Sequence, residues 1–161
     1  MCLRRVLSSI IIAAMRAAIL CICLSAVVIV SAQSAKNYRA RLSPVALDIA
    51  MQATVAGSGT VTAVLSGARL TINGTFDGLK SPATIAQIHK SPIAGVRGPI
   101  VADLAVSPAA GGTSGTISAT LMLTPQQTTD LEKKRLYVQL HSEKAPDGNL
   151  WGWLMPVETK R

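Results

Sequence analysis

Only two histidines occur in the 161 residues, and both close the same local phrase. Gln87-Ile88-His89 runs into a loop and then Gly98-Pro99-Ile100-Val101. Gln139-Leu140-His141 runs into Pro146-Asp147-Gly148-Asn149-Leu150-Trp151-Gly152. Each reads as a strand ending in Gln-apolar-His, a Gly/Pro turn and a returning strand. Successive side chains of a strand point to opposite faces. Ile88, Val138 and Leu140 are therefore expected to look into a core, with Gln87, His89, Gln139 and His141 on the opposite face.

The first stretch belongs to targeting rather than to the fold. Arg4 and Arg5 give a positive start, and the chain from Ala17 to Ala32 is almost wholly apolar, ending in Val30-Ser31-Ala32. That run is shorter than the roughly 20 residues that span a bilayer. It is read as a cleavable signal peptide over 1–32, with no permanent membrane span after cleavage, so the chain is expected to be exported to the periplasm or cell exterior. Cys2, Cys21 and Cys23 all lie in this leader, so the remaining chain contains no disulfide and no thiolate ligand. Losing Arg4, Arg5 and Arg16 lowers the formal net charge from +8 to about +5, and the remaining charges are scattered. Lys133-Lys134-Arg135 reads as a solvated helix end. Nucleic acid is not expected as a partner, because neither a basic face nor interleaved aromatics are present.

Past a short tether at 33–37, strand signals dominate. Gly59–Leu65 alternates small or polar residues with apolar ones. Leu70, Ile72, Gly74 and Phe76 share one face of the next segment. Asn73-Gly74 is a hairpin signal, but the alternation keeps its phase through the pair, which favours one continuous strand. Further strands are expected at 84–89, 99–106, 116–123, 136–141 and 150–154. Thr124-Pro125-Gln126-Gln127 predicts a capped helix start, with one short helix over about 125–134 that packs Leu131 inward. The expected class is all-β, an antiparallel sandwich or barrel with one helix.

The closing phrase, Leu136-Tyr137-Val138-Gln139-Leu140-His141 with Pro146-Asp147-Gly148-Asn149-Leu150-Trp151-Gly152, resembles the CHRD (chordin-type) domain family. Ile88-His89 with Gly98-Pro99-Ile100-Val101 is similar to that family's central phrase, in which a histidine stands at the place of Gln87. The resemblance places the family motif on Gln87, Gly98, Pro99, Tyr137, Gly148 and Gly152. It implies an exported immunoglobulin-like β domain over 38–157, followed by a tail at 158–161. It also implies a binding or structural module, with a protein or small ligand as partner. The growth-factor antagonism of animal chordin is not carried over.

Two groups can carry function. If their strands are neighbours, His89 and His141 converge on one face and can hold copper or zinc, provided their ring nitrogens approach within about 3–4 Å, given metal–nitrogen bonds of about 2.0 Å. Asp147, Glu143 and Met155 are within loop reach as further ligands. Alternatively, each histidine bonds a loop carbonyl and shapes its turn. Trp151 and Trp153 share a strand face opposite Leu150 and Leu154, which leaves the indoles as a contact patch near the surface or as a cap on an open end. No Gly-x-Ser-x-Gly elbow, His-Glu-x-x-His pair or phosphate-cradling loop occurs, so catalysis is not expected.

Overall fold

A computed structural model describes residues 34–93 and 95–157. The leader at 1–32 and the tail at 158–161 lie outside the described residues. Among the described residues nine strands appear: β1 Lys36–Pro44, β2 Ser58–Ser66, β3 Arg69–Asp77, β4 Ala83–Lys90, β5 Ile100–Pro108, β6 Gly115–Met122, β7 Leu136–Ser142, β8 Ala145–Trp153 and β9 Met155–Pro156. One helix, α1, covers Pro125–Glu132, and a single 3-10 turn covers Ala50–Ala53. β1 begins at Lys36, inside the stretch read as a tether.

All strand pairs are antiparallel, in the order β2-β3-β6-β5-β4-β7-β8-β1-β9, with β1 also paired to β2. Two strands close the circuit. β1 pairs with β2 along Lys36–Leu42 and with β8 at Ser43 and Pro44. β5 pairs with β4 at its start and with β6 along Ala105–Pro108. The result is a closed eight-stranded barrel with β9 as an additional strand, not the two separate sheets of an immunoglobulin-like sandwich. Closure removes the open edges that a sandwich must protect.

The period-two pattern accounts for the core. Tyr38, Ala40 and Leu42 on β1, Val61, Ala63 and Leu65 on β2, and Leu70, Ile72 and Phe76 on β3 are all buried together. Ile88, Val138 and Leu140 join them, each with no exposed surface. Asn73 and Gly74 lie mid-strand, paired to β2 and β6, so the continuous-strand reading holds. Leu131 of α1 is fully buried in the same core.

The helix starts as its sequence predicts. The Thr124 hydroxyl accepts from the Gln127 amide at 3.2 Å, and the Gln127 side chain accepts from the Thr124 amide at 2.8 Å. It ends earlier than position 134. Lys134 takes a left-handed backbone (φ 60°), and the Arg135 amide donates back to the Asp130 carbonyl at 2.9 Å, which terminates the helix.

Candidate functional site

The site forms on the outer face of β4, β7 and β8. Register places Gln87 beside Gln139, Gln139 beside Trp151, His89 beside Tyr137, and Tyr137 beside Trp153. All of these point away from the barrel core, yet nearly all are buried. Tyr137 has no exposed surface and Trp151 only 4%, and neither belongs to the main apolar core. Two loop segments form a roof. The Arg97 guanidinium lies 5.3 Å from the Trp151 ring centre and donates to the Asp147 carbonyl at 3.2 Å. The Gln139 amide donates to the same carbonyl at 2.6 Å, and the Gly98 amide donates to the Tyr137 hydroxyl at 3.2 Å.

This roof corrects the expectation of two indoles near the surface. Leu150 and Leu154 do take the core face, with no exposure. On the other face, Trp151 is buried and Trp153 half-buried. Strand phase assigned the faces correctly, but it cannot reveal that loops cover the second one. The aromatic rings pack as a plate. Tyr137 stacks on Trp151 at 5.5 Å with planes 2° apart and lies 5.0 Å from Trp153, while His89 stacks on Tyr137 at 5.1 Å.

Both histidines stand at breaks in the ladder. Beside His89, the β4–β5 register skips Val101; opposite His141, Pro146–Asn149 are extra residues of β8. The hairpin therefore turns at Glu143-Lys144, earlier than the Pro146–Asn149 turn its sequence suggests. Bulges of this kind re-aim side chains. Two glycines make the close roof possible. A Cβ on Gly98 would collide with the Lys90 carbonyl. Gly148, at φ +119°, would drive one into the Gln139 amide and to within 2.8 Å of Trp151 Nε1. Of the other motif positions, Gly152 is buried opposite Val138. The Pro99 carbonyl accepts from the Lys90 amide at 2.9 Å, and Gln87 donates to Asp103 at 2.8 Å.

The imidazoles are 7% and 8% exposed. His89 Nδ1 lies 2.9 Å from the Gly98 carbonyl, and His141 Nδ1 lies 2.7 Å from the Pro146 carbonyl. A carbonyl only accepts, so each Nδ1 carries a proton and Nε2 is the ring nitrogen left to offer a lone pair. Both Nε2 atoms are buried without a hydrogen-bond partner, as are Gln139 Oε1 and Trp151 Nε1. Burial chiefly holds His141 below the usual imidazole value, against the pull of the Pro146 carbonyl; the neighbouring Arg97 cation adds to the lowering and Asp147 opposes it. His141 is therefore neutral at pH 7.

The ring centres are 6.5 Å apart. The loop ligands considered from sequence do not join them. Glu143 and Met155 are exposed, with Met155 on β9 beside Arg39, and Asp147 engages the site through its backbone carbonyl. Among the described residues no group of three or more His, Cys, Asp or Glu is arranged to hold a metal ion. Sequence reasoning passed over Gln139 as a site residue, although its phase with His141 signals it. Arg97, on the loop, gave no such signal.

The fold and site together define a small closed β-barrel module with one roofed polar and aromatic face. The CHRD-domain family model matches residues 38–154, and the chain belongs to that family, whose domains are non-enzymatic binding modules. Neither a curated protein nor a solved structure matches the chain. Among the described residues no helix is long and apolar enough to cross a membrane.

Proposed function

We propose that this chain is an exported, non-catalytic binding module of the periplasm or cell exterior, and that it holds a transition-metal ion, copper or zinc, at His89 and His141. One observation carries the reading: both Nδ1–H groups are committed to backbone carbonyls while both Nε2 lone pairs are buried and unmatched. Metal-ligating histidines are typically set this way, the second nitrogen fixing tautomer and ring orientation. The leader supports export. In the test, the protein is purified from the periplasm and from the medium, its N-terminus is sequenced, and its metal content is measured. The expected result is a chain beginning near residue 33 with stoichiometric copper or zinc, lost in His89→Ala and His141→Ala. Folded protein that neither carries nor takes up either metal sinks the reading.

A second reading, a protein partner docking on the loops, is favoured by the β4–β5 loop. It presents Ile93, Val96 and Ile100 at 65%, 43% and 56% exposure, and loops on a rigid scaffold commonly carry recognition. Pull-down from the exported fraction with wild type and an Ile93→Ser/Val96→Ser variant decides it. A partner retained equally by both excludes this loop.

A further inference from the structure

Resting on the reading that His89 and His141 hold a metal, we infer that the ion is monovalent copper, bound between the two Nε2 atoms in a nearly straight two-coordinate arrangement.

The span argues for this first. With metal–nitrogen bonds of about 2.0 Å and a ring centre roughly 1.1 Å behind each nitrogen, a straight N–metal–N angle sets the ring centres roughly 6.2 Å apart, against roughly 5 Å at a tetrahedral angle. The observed separation is 6.5 Å, about 0.3 Å beyond the straight limit and about 1.5 Å beyond the tetrahedral one. The rings can close the smaller gap by a slight shift but are not free to close the larger one. Each is tied through Nδ1 to a backbone carbonyl, and His89 is also stacked on Tyr137.

Ligand number agrees. Zn²⁺ sites are almost always four-coordinate, and Cu²⁺ favours tetragonal sets of four or more donors. A d¹⁰ monovalent copper ion is satisfied by two nitrogens. No third His, Cys, Asp or Glu joins the pair among the described residues. Gln87, the neighbour on the same face, has its amide committed to Asp103.

Charge is the third argument. Imidazole ligands bring no negative charge, and the buried groups around them, Gln139, Tyr137 and Trp151, carry no carboxylate. Nearby Arg97 is a cation, and the Asp147 carboxylate that opposes it is exposed, its roof contacts running through the backbone carbonyl. The desolvation cost of an ion rises with the square of its charge, and burying an uncompensated charge is already expensive. A divalent ion faces about four times the penalty of a monovalent one here, with no anionic ligand to offset it.

The test uses the full mature chain stripped of metal. It is titrated anaerobically with Cu(I) buffered by a chromogenic chelator, and separately with Cu(II) and Zn(II). The bound form is examined by copper K-edge absorption. The expected result is one equivalent of Cu(I), bound more tightly than either divalent ion, with a two-nitrogen linear spectrum. His89→Ala and His141→Ala should each weaken it by about 100-fold or more, because even loss of an outer-shell partner costs 10–100-fold. Gln87→His tests the ligand count without deleting a side chain, and should shift preference toward Zn(II) and Cu(II). Divalent ions outcompeting Cu(I) in the wild type, or a three- or four-coordinate spectrum, overturn the inference and leave the metal reading standing. Binding of no ion overturns both. Histidine variants that stay folded and bind Cu(I) like wild type mark the uptake as adventitious and overturn both as well.

Discussion

Asp130 offers the sharpest test of how helix and barrel are joined. Its carboxylate, 1% exposed, lies 2.9 Å from the Lys90 ammonium of β4 and 3.9 Å from the Arg135 guanidinium at the start of β7. Gln126 of the same helix donates to it at 3.4 Å. Removing one partner of a buried ion pair costs about 3–5 kcal/mol, because the remaining charge is stranded. Here Lys90 and Arg135 are 37% and 39% exposed and regain water when the carboxylate is lost. That roughly halves the cost, so Asp130→Asn is expected to destabilise by about 2 kcal/mol. With a urea slope of about 2 kcal/mol/M, the midpoint falls by about 1 M. The effect depends on pH. Burial alone raises the Asp130 pKa, but the Lys90 and Gln126 hydrogen bonds and the charges of Lys90 and Arg135 outweigh it and hold the carboxyl below its ordinary 3.8. A depressed carboxyl stabilises fully above the unfolded value and loses that contribution as pH falls through the folded one. Urea melts of wild type and variant should therefore differ fully at pH 5–7 and converge in stronger acid. A midpoint shift under about 0.2 M at pH 7, or a gap unchanged down to about pH 2, refutes the reasoning. The exposed Lys36–Glu132 pair is the control, and Lys36→Gln should leave the urea midpoint unchanged.

Three further outcomes follow from the roof and the core. Gly148→Ala should destabilise by about 2 kcal/mol or more, since it combines an unfavourable φ with a collision; an unchanged thermal midpoint contradicts the close approach. Tyr137→Phe, which removes the acceptor of the Gly98 amide, should cost about 1 kcal/mol in denaturant melts, and no measurable loss would mean that contact carries no weight. Trp153→Phe should leave an emission strongly protected from acrylamide, because Trp151 is 4% exposed, whereas Trp151→Phe should leave one quenched more easily, because Trp153 is half-buried; equal quenching of the two contradicts the roofed face.

What could be read from the sequence was whatever depends on local periodicity. The core positions Ile88, Val138, Leu140, Leu150 and Leu154 follow from period-two alternation, and the α1 cap follows from Thr124-Pro125 and Gln127. Closure was not legible. It depends on β1 and β5 each dividing their hydrogen bonds between two neighbours, and no local pattern encodes a partner tens of residues away. The Asp130 ion pair was hidden for the same reason, since Lys90 lies 40 positions from it and meets it only in three dimensions.

The histidines show why the same strand phase led to a correct face and an incomplete environment. Phase put His89 and His141 opposite the core, and it put Trp151 and Trp153 there too. An outward face normally meets water, which is why the indoles read as a contact patch or as a cap on an open end. Here Arg97-Gly98 and Pro146-Asp147 fold back over it, held by Tyr137, Gln139 and the two imidazoles themselves. The residues that resemble the family phrases divide accordingly. Gly98 and Gly148 let the roof approach, Tyr137 and Gln139 fasten it, and the histidines spend one nitrogen each on it. Such a roof stabilises the barrel through its own contacts, and it also turns an exposed sheet face into a buried, low-dielectric one on which two fixed imidazole lone pairs face no competing donor; that environment follows from the roof residues rather than from the histidines alone.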